Sequence, residues 1–327
     1  MMPEMINDYT SSYLEYAGSN TWWLREVKGA RIFDKFVFNL IKSTYLGIRF
    51  FLKLTLGRKT RDRIFLKRKI IFKDFLYSLA KILRVDKTLL LEIHVPSHDY
   101  RIHCPLNKED FIVMTKHEEE IIGLFHPKEG DTVVDIGAHM GRYTITSSKS
   151  VGSSGKVIAV EAHPYNYRIL QHNLSLNKLT NVSALNWAVY SKKARLKLYL
   201  PDEYLGYTMH HSLMTNYLTA KYNKEIERRY IEVEADTLDN LLKTRGINQV
   251  NWIKIDVEGA EYEVLKGATE ILSANKSISI LVEVHGKDTY GPTMQLLRSN
   301  NFNIEFEKTY DNGEKHVLAK KVGSSGQ

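Results

Sequence analysis

Cysteine is almost absent: Cys104 is the only one in 327 residues. No intrachain disulfide and no cysteine-rich zinc site can be built, and a reducing, cytoplasmic setting is expected. Proline is also sparse, with 7 against 19 glycines, and no low-complexity tract accompanies them. A composition that is 43% hydrophobic and 26% charged therefore reads as globular, with a real core. A third absence is an unbroken apolar run of the roughly 20 residues that a bilayer crossing needs. The best candidate, Phe36 to Leu56, is interrupted by Lys42, Arg49 and Lys53. It begins behind acidic residues and too far from Met1 to be a signal peptide, so neither a spanning helix nor a leader is expected.

The net charge of +8 suggests a nucleic-acid partner until it is located along the chain. Residues 25–90 carry 18 Lys and Arg against 5 Asp and Glu, a local +13, whereas residues 91–327 carry 28 against 30, a local −2. The basic part has helical periodicity. Lys35, Asn39, Lys42, Arg49 and Lys53 follow one another at spacings of 4, 3, 7 and 4, a polar stripe beside an apolar face. We read residues 1–90 as a basic amphipathic helical extension. It either packs on the main domain with its cations in water or lies peripherally on an anionic membrane; nucleic-acid contact fits least.

After residue 90 short apolar strands alternate with helices, the order of a doubly wound α/β sheet. Expected strands include Thr132–Ile136, Val157–Glu161, Val182–Ala188, Trp252–Asp256 and Ile278–Val284. Expected helices include Lys108–Phe125, Arg142–Ser150, Tyr165–Asn177, Glu261–Leu272 and Thr289–Ser299. Residues 189–235 interrupt the alternation with a hairpin over Ala194–Leu200, a Tyr- and His-rich stretch and a strand over Tyr230–Glu234, an insertion over one face.

The first motif runs from Asp131 to Gly141, a buried strand entering a glycine turn and then a helix. Such a turn offers backbone amides and a helix N-terminus to a nucleotide-like ligand, with Gly137 and Gly141 removing side chains that would block it. Glu161 follows 24 residues after Gly137, at the end of the second strand, where a carboxylate accepts both hydroxyls of a ribose. The spacing disfavours a dinucleotide: the two glycines are four apart, position 139 is His, and Asp135 would set a negative charge beside a pyrophosphate. The same Asp suits a zwitterion with an ammonium group. The second glycine pair, Gly152 and Gly155, lacks the spacing and the hydroxyl of a phosphate loop and is a turn.

With Asp135–Thr144 in view, then Glu161–Pro164, Asp236–Asp239, Lys254–Glu261, Val264–Ala268 and Leu281–His285, the chain resembles the FkbM family of S-adenosylmethionine-dependent methyltransferases. The likeness runs over residues 108–320 inside a domain taken as 91–327, and one departure is His139, where that family usually has Asn. It implies a class I methyltransferase sheet, Rossmann-like and doubly wound, of seven strands with the last antiparallel. It implies S-adenosylmethionine as cofactor: Asp135, Gly137, His139 and Gly141 at the methionine end, Glu161 at the ribose, Asn186 to Ala188 at the adenine.

Methyl transfer asks the protein to align an acceptor and take its proton. Candidates lie at the ends of the fourth and fifth strands: Asp256, Glu258 and His285 first, with Glu261 and Glu283 beside them. The set would act as a general base or hold a divalent cation that lowers the pKa of an acceptor hydroxyl. The sequence has no Asn or Asp followed by Pro-Pro and an aromatic, the arrangement that clamps an amine in many N-methyltransferases, so an oxygen of a small molecule, sugar or glycan is the expected acceptor. His210, His211 and Ser212 of the insertion are candidates for its pocket. Two other classes stay open at this point: a nicotinamide-dependent oxidoreductase on the same sheet, and a membrane-associated module that binds without turnover.

Overall fold

The computed structural model describes residues 22–26, 89–95, 99–105, 119–200, 211–214, 230–311 and 313–321. The chain divides into two compact units, Met1–Thr115 and Lys116–Gln327. In the first unit, strand β1 (Trp22–Glu26) pairs antiparallel with β2 (Leu89–Val95), which pairs antiparallel with β3 (Tyr100–Pro105). The sequence reads a small hairpin over Leu91–Val95 and Tyr100–Cys104, and β2 and β3 form it. Strand β1 lies within the segment read as a helical extension, whose periodic stretch from Phe36 to Leu83 lies outside the described residues. Within β2 and β3, Glu92 and His103 are both buried and meet at 2.9 Å, each removing the cost of sealing the other from water.

The second unit is the α/β domain. Its elements follow in order: α1 (Glu119–Ile122), β4 (Thr132–Ile136), α2 (Arg142–Val151), β5 (Lys156–Val160), α3 (Pro164–Leu176), β6 (Val182–Leu185), β7 (Ala188–Val189) and β8 (Ala194–Tyr199). Then come β9 (Tyr230–Asp236), α4 (Leu238–Lys243), β10 (Trp252–Ile255), α5 (Glu261–Lys266), α6 (Thr269–Ala274), β11 (Ile278–Val284), α7 (Lys287–Ser299), β12 (Asn303–Thr309) and β13 (Lys315–Lys321). Seven strands form one sheet in the order β12-β13-β11-β10-β4-β5-β6. β11, β10, β4, β5 and β6 are parallel to one another, and β13 runs antiparallel to both its neighbours. That is the class I methyltransferase order expected above.

The central strands are apolar on both faces because helices cover both faces. Alternate residues sort accordingly: Val134, Ile136, Ile253, Ile255, Ile280 and Val282 pack into one layer, whereas Val133, Trp252 and Leu281 join Phe125 and Tyr143 in the other. The chain leaves β4 toward β5 and β6 on one side and returns through β10 and β11 on the other. A crevice at such a reversal, outside the carboxyl ends of the strands, is where these sheets bind ligands.

Three expectations change. Val182–Ala188 is not one strand: β6 ends at Leu185, and Ala188–Val189 joins a separate sheet of order β7-β9-β8. Ala194–Leu200 is not a hairpin but a single strand, paired antiparallel with β9 from Ala194↔Ala235 to Tyr199↔Tyr230. The helix expected over Glu261–Leu272 breaks at Gly267. A Cβ there would lie 2.1 Å from the Tyr190 carbonyl oxygen, so the close approach of another backbone needs glycine and ends the first helix. Asp239 then caps the second helix, accepting from the backbone N–H groups of Glu270 and Ile271 at 2.9 Å each. Of the expected helix Lys108–Phe125, residues 119–125 are described, and the helix there ends at Ile122. Among the described residues no helix is long and apolar enough to cross a membrane.

Candidate active site

The site is assembled at the carboxyl ends of β4, β5, β6, β10 and β11. Asp135 sits one residue from the end of β4 and is 1% exposed. Its Oδ2 accepts from Thr144 Oγ1 of α2 at 2.5 Å, and its Oδ1 has no hydrogen-bond partner among the described residues. An orphaned buried carboxylate oxygen is costly, and a bound ammonium would satisfy it. Burial raises the pKa of Asp135, while the nearby Lys254 ammonium and the Thr144 hydrogen bonds pull it down.

After β4 the chain turns through Gly137 with φ +79°, where a Cβ would lie 1.8 Å from the carbonyl oxygen of Asp256. The glycine thus admits the backbone following β10. His139 also takes a left-handed backbone, φ 52°, and Gly141 leads into α2 without a side-chain cap. The His139 N–H donates to Glu161 Oε2 at 2.8 Å and the His163 N–H donates to Oε1 at 2.9 Å. Glu161 therefore ties the turn after β4 to the loop after β5. Burial pushes its carboxyl up to about 7, although both backbone donors and Asn166 oppose the rise. Asn186, after β6, donates to the carbonyls of Glu161 and Ala162 at 2.8 and 3.0 Å, bracing the same loop. Ala188 is buried in β7, against the carbonyl end of β9. The three strand ends expected to hold a nucleoside are thus joined by hydrogen bonds.

At the other end, Asp256 and Glu258 follow β10, and Glu283 and His285 close β11. Both nitrogens of His285 face carboxylates. Nδ1 is 2.8 Å from Glu261 Oε1, while Nε2 is 3.3 Å from Glu283 Oε1 and 3.6 Å from Glu258 Oε2. Burial works against the imidazolium, but the charges of Glu258 and Glu283 and the hydrogen bonds to Glu261 and Glu283 outweigh it, and the pKa of His285 rises well above its ordinary value. Glu261 is fully buried at the start of α5, and its Oε1 also accepts from the Gly259 N–H at 2.8 Å. Glu283 pairs across the sheet with His316 of β13, Oε2 to Nε2 3.1 Å. Asp256 is held by Lys254, Nζ to Oδ2 2.7 Å. Asp256, Glu258 and His285 also bring one potential ligand atom each within 4.8 Å of one another, a spacing that a divalent cation accepts.

All five reacting-end candidates therefore come together. The sequence reading missed Lys254, His316 and Thr144 as members of the site. Lys254 had a usable signal, a lone charge inside the apolar strand Trp252–Ile255; His316 and Thr144 had none, because only the sheet order and the placement of α2 bring them in. Of the insertion, His210 lies outside the described residues. The His211 ring stacks on His163, 4.1 Å between centroids and 13° between planes. Ser212 Oγ donates to the carbonyl of Glu258 at 2.5 Å, so the insertion touches the loops after both β5 and β10.

Strand order and the row of strand-end residues define a class I methyltransferase fold. The methyltransferase FkbM domain matches residues 135–304, more than half of the chain, and the protein belongs to that family. It is 29% identical over 157 residues to methyltransferase sdnD of Sordaria araneosa, a match taking in 42% of this chain and 60% of that one. Over 185 residues it is 25% identical to methyltransferase 1 of Beauveria bassiana (strain ARSEF 2860), covering 54% of this chain and 74% of the relative. Among solved structures, a SAM-dependent methyltransferase from Aquifex aeolicus is similar at 16% identity and a TM-score of 0.38, over 64% of this chain and 93% of the other.

Proposed function

We propose that the protein methylates an oxygen of a small molecule, sugar or glycan, using S-adenosylmethionine, with Glu258 as the proton acceptor. The observation that carries the cofactor assignment is the buried Oδ1 of Asp135, without a hydrogen-bond partner among the described residues, one strand away from the braced carboxylate of Glu161. The first suits an ammonium and the second suits ribose hydroxyls. When bound, S-adenosylmethionine supplies a methyl carbon on a sulfonium, whose carbon–sulfur bond breaks with its electron pair left on sulfur.

The chain's own residues do the rest. The turn after β4 and the loop after β5 orient the donor, and the loop after β10 receives the acceptor. As the acceptor oxygen bonds to carbon, its proton has to leave. His285 is a poor recipient, since flanking carboxylates already favour its protonated form. Asp256 is tied to Lys254, Glu261 to His285, and Glu283 to both His285 and His316. Glu258, partly exposed and farthest from its ring partner at 3.6 Å, is the carboxylate best placed to take that proton.

A second reading rests on the 4.8 Å clustering of Asp256, Glu258 and His285: a divalent cation there would lower the pKa of the acceptor hydroxyl, with His285 neutral. Peripheral attachment of residues 25–90 to an anionic membrane belongs to the same proposal and rests on the local +13. Calorimetry with S-adenosylmethionine and with nicotinamide dinucleotides tests the donor. Binding of a dinucleotide in place of the sulfonium overturns the methyltransferase reading.

A further inference from the structure

Lys254 is 4% exposed in the middle of a parallel sheet, between Ile253 and Ile255. An ammonium sealed from water at that position has to be compensated. Three groups do so. Its Nζ donates to Asp256 Oδ2 at 2.7 Å and lies 4.7 Å from the ring centroid of Tyr143, in the first turn of α2. In the parallel register Lys254 stands directly beside Asp135 of β4. The lysine thus joins the carboxylate at the expected amino-acid end of the donor to a carboxylate at the reacting end.

Asp135 cannot be an anion there without help. Burial disfavours its charge, and so does the Glu161 carboxylate at the end of β5. From α2 it receives the Thr144 hydroxyl and backbone N–H, and from β10 it faces the Lys254 ammonium. A protonated Asp135 would offer the donor's ammonium no charge at all. We infer that Lys254 is a positioning residue for the methyl donor, its ammonium holding Asp135 as an anion ready for the donor's ammonium while it tethers Asp256 beside the acceptor.

This rests on the S-adenosylmethionine reading, and the test separates the two. Binding of S-adenosylmethionine is measured by calorimetry on the full-length protein from about pH 6 to about pH 9, for wild type, Lys254→Met, Asp135→Asn and the double variant. The sign follows from the chemistry: removing Lys254 raises the pKa of Asp135, so its ionised fraction at a fixed pH falls. Affinity in Lys254→Met should be about tenfold or more below wild type near pH 6.5, the gap closing toward about pH 9, since each unit of pKa displacement is worth a factor of ten. Glu161, titrating near 7, adds an acid limb common to wild type and Lys254→Met, so the difference between curves is what is read. In the Asp135→Asn background, Lys254→Met should add less than about twofold, because the group through which the lysine acts is gone.

A gap of equal size at every pH, or none, overturns the inference, as does a full additive loss in the double variant. A wild type that binds no S-adenosylmethionine at any pH overturns the donor assignment instead. If Lys254→Met does not fold, Lys254→Gln, whose amide still donates to Asp256 without a charge, is read by the same criteria.

Discussion

Nδ1 of His285 lies 2.8 Å from Oε1 of Glu261, and both side chains are sealed from solvent. This contact fixes the ring and leaves Nε2 to face Glu283 and Glu258. Removing one partner of a buried ion pair commonly costs about 3 to 5 kcal/mol. Glu261→Ala should fall toward the lower figure, since two carboxylates stay with the imidazolium. The folded pKa of His285 is raised, so its contribution to stability is complete below about pH 6.5 and is lost as pH rises through the folded value. Thermal unfolding across that range should show a flatter pH slope in Glu261→Ala than in wild type; parallel slopes contradict the assignment.

With Glu161 as the proposed ribose ligand, Glu161→Ala should weaken S-adenosylmethionine binding about 10- to 100-fold. In wild type the affinity should fall as pH drops below about 7, where this carboxyl gains its proton. Titration calorimetry at several pH values reads both effects, and unchanged affinity in the variant rules the ribose role out.

Glu258→Gln should bind the donor normally and turn over about 10²- to 10⁴-fold more slowly on an identified acceptor. His285→Ala should also lose rate, through the carboxylates it orders. Full activity in both variants places the proton acceptor elsewhere. Loss of turnover with a chelator, restored by magnesium, would favour the divalent-cation reading over the direct base.

Gly137→Ala forces a Cβ into the Asp256 carbonyl at φ +79°. The cost should exceed about 2 kcal/mol, from strain and overpacking together. Lower thermal stability with weaker donor binding is the expected pair of results. A variant as stable as wild type would mean that the turn is looser than its 1.8 Å approach implies.

The full-length protein should sediment with liposomes containing acidic lipids and be released by high salt, since each Lys or Arg near such a surface contributes roughly 1 kcal/mol before screening. Replacing Lys67, Arg68 and Lys69 by Gln should reduce binding measurably. Indifference to acidic liposomes at low salt counts against membrane attachment by this segment.

The parallel strands could be read from sequence because strands covered on both faces are mainly apolar, and Ile278–Val284 matches to the residue. The helix start at Arg142 was legible, and the one expected at Tyr165 falls one residue after the observed Pro164. What escaped is set by distant contacts. The break at Gly267 depends on the carbonyl of Tyr190, and the division of Val182–Ala188 depends on β9, which follows some forty residues later. In the site, residue types at strand ends pointed to Asp256, Glu258 and His285. Glu261 and Glu283 were legible beside them; His316 was not, because only the pairing of β11 with β13 brings it to Glu283. The glycine turn was identified for a ligand's sake, whereas the space at Gly137 is filled by the protein's own backbone.

That filled space has an evolutionary consequence. With the turn after β4 pressed on the carbonyl of Asp256, that turn and the loop after β10 form a single block in which neither half can drift without the other. New acceptors would then be gained mainly through the stretch between β8 and β9, which meets that block at His163 and at the Glu258 carbonyl. Substrate range can diversify there while the methylating machinery is inherited intact.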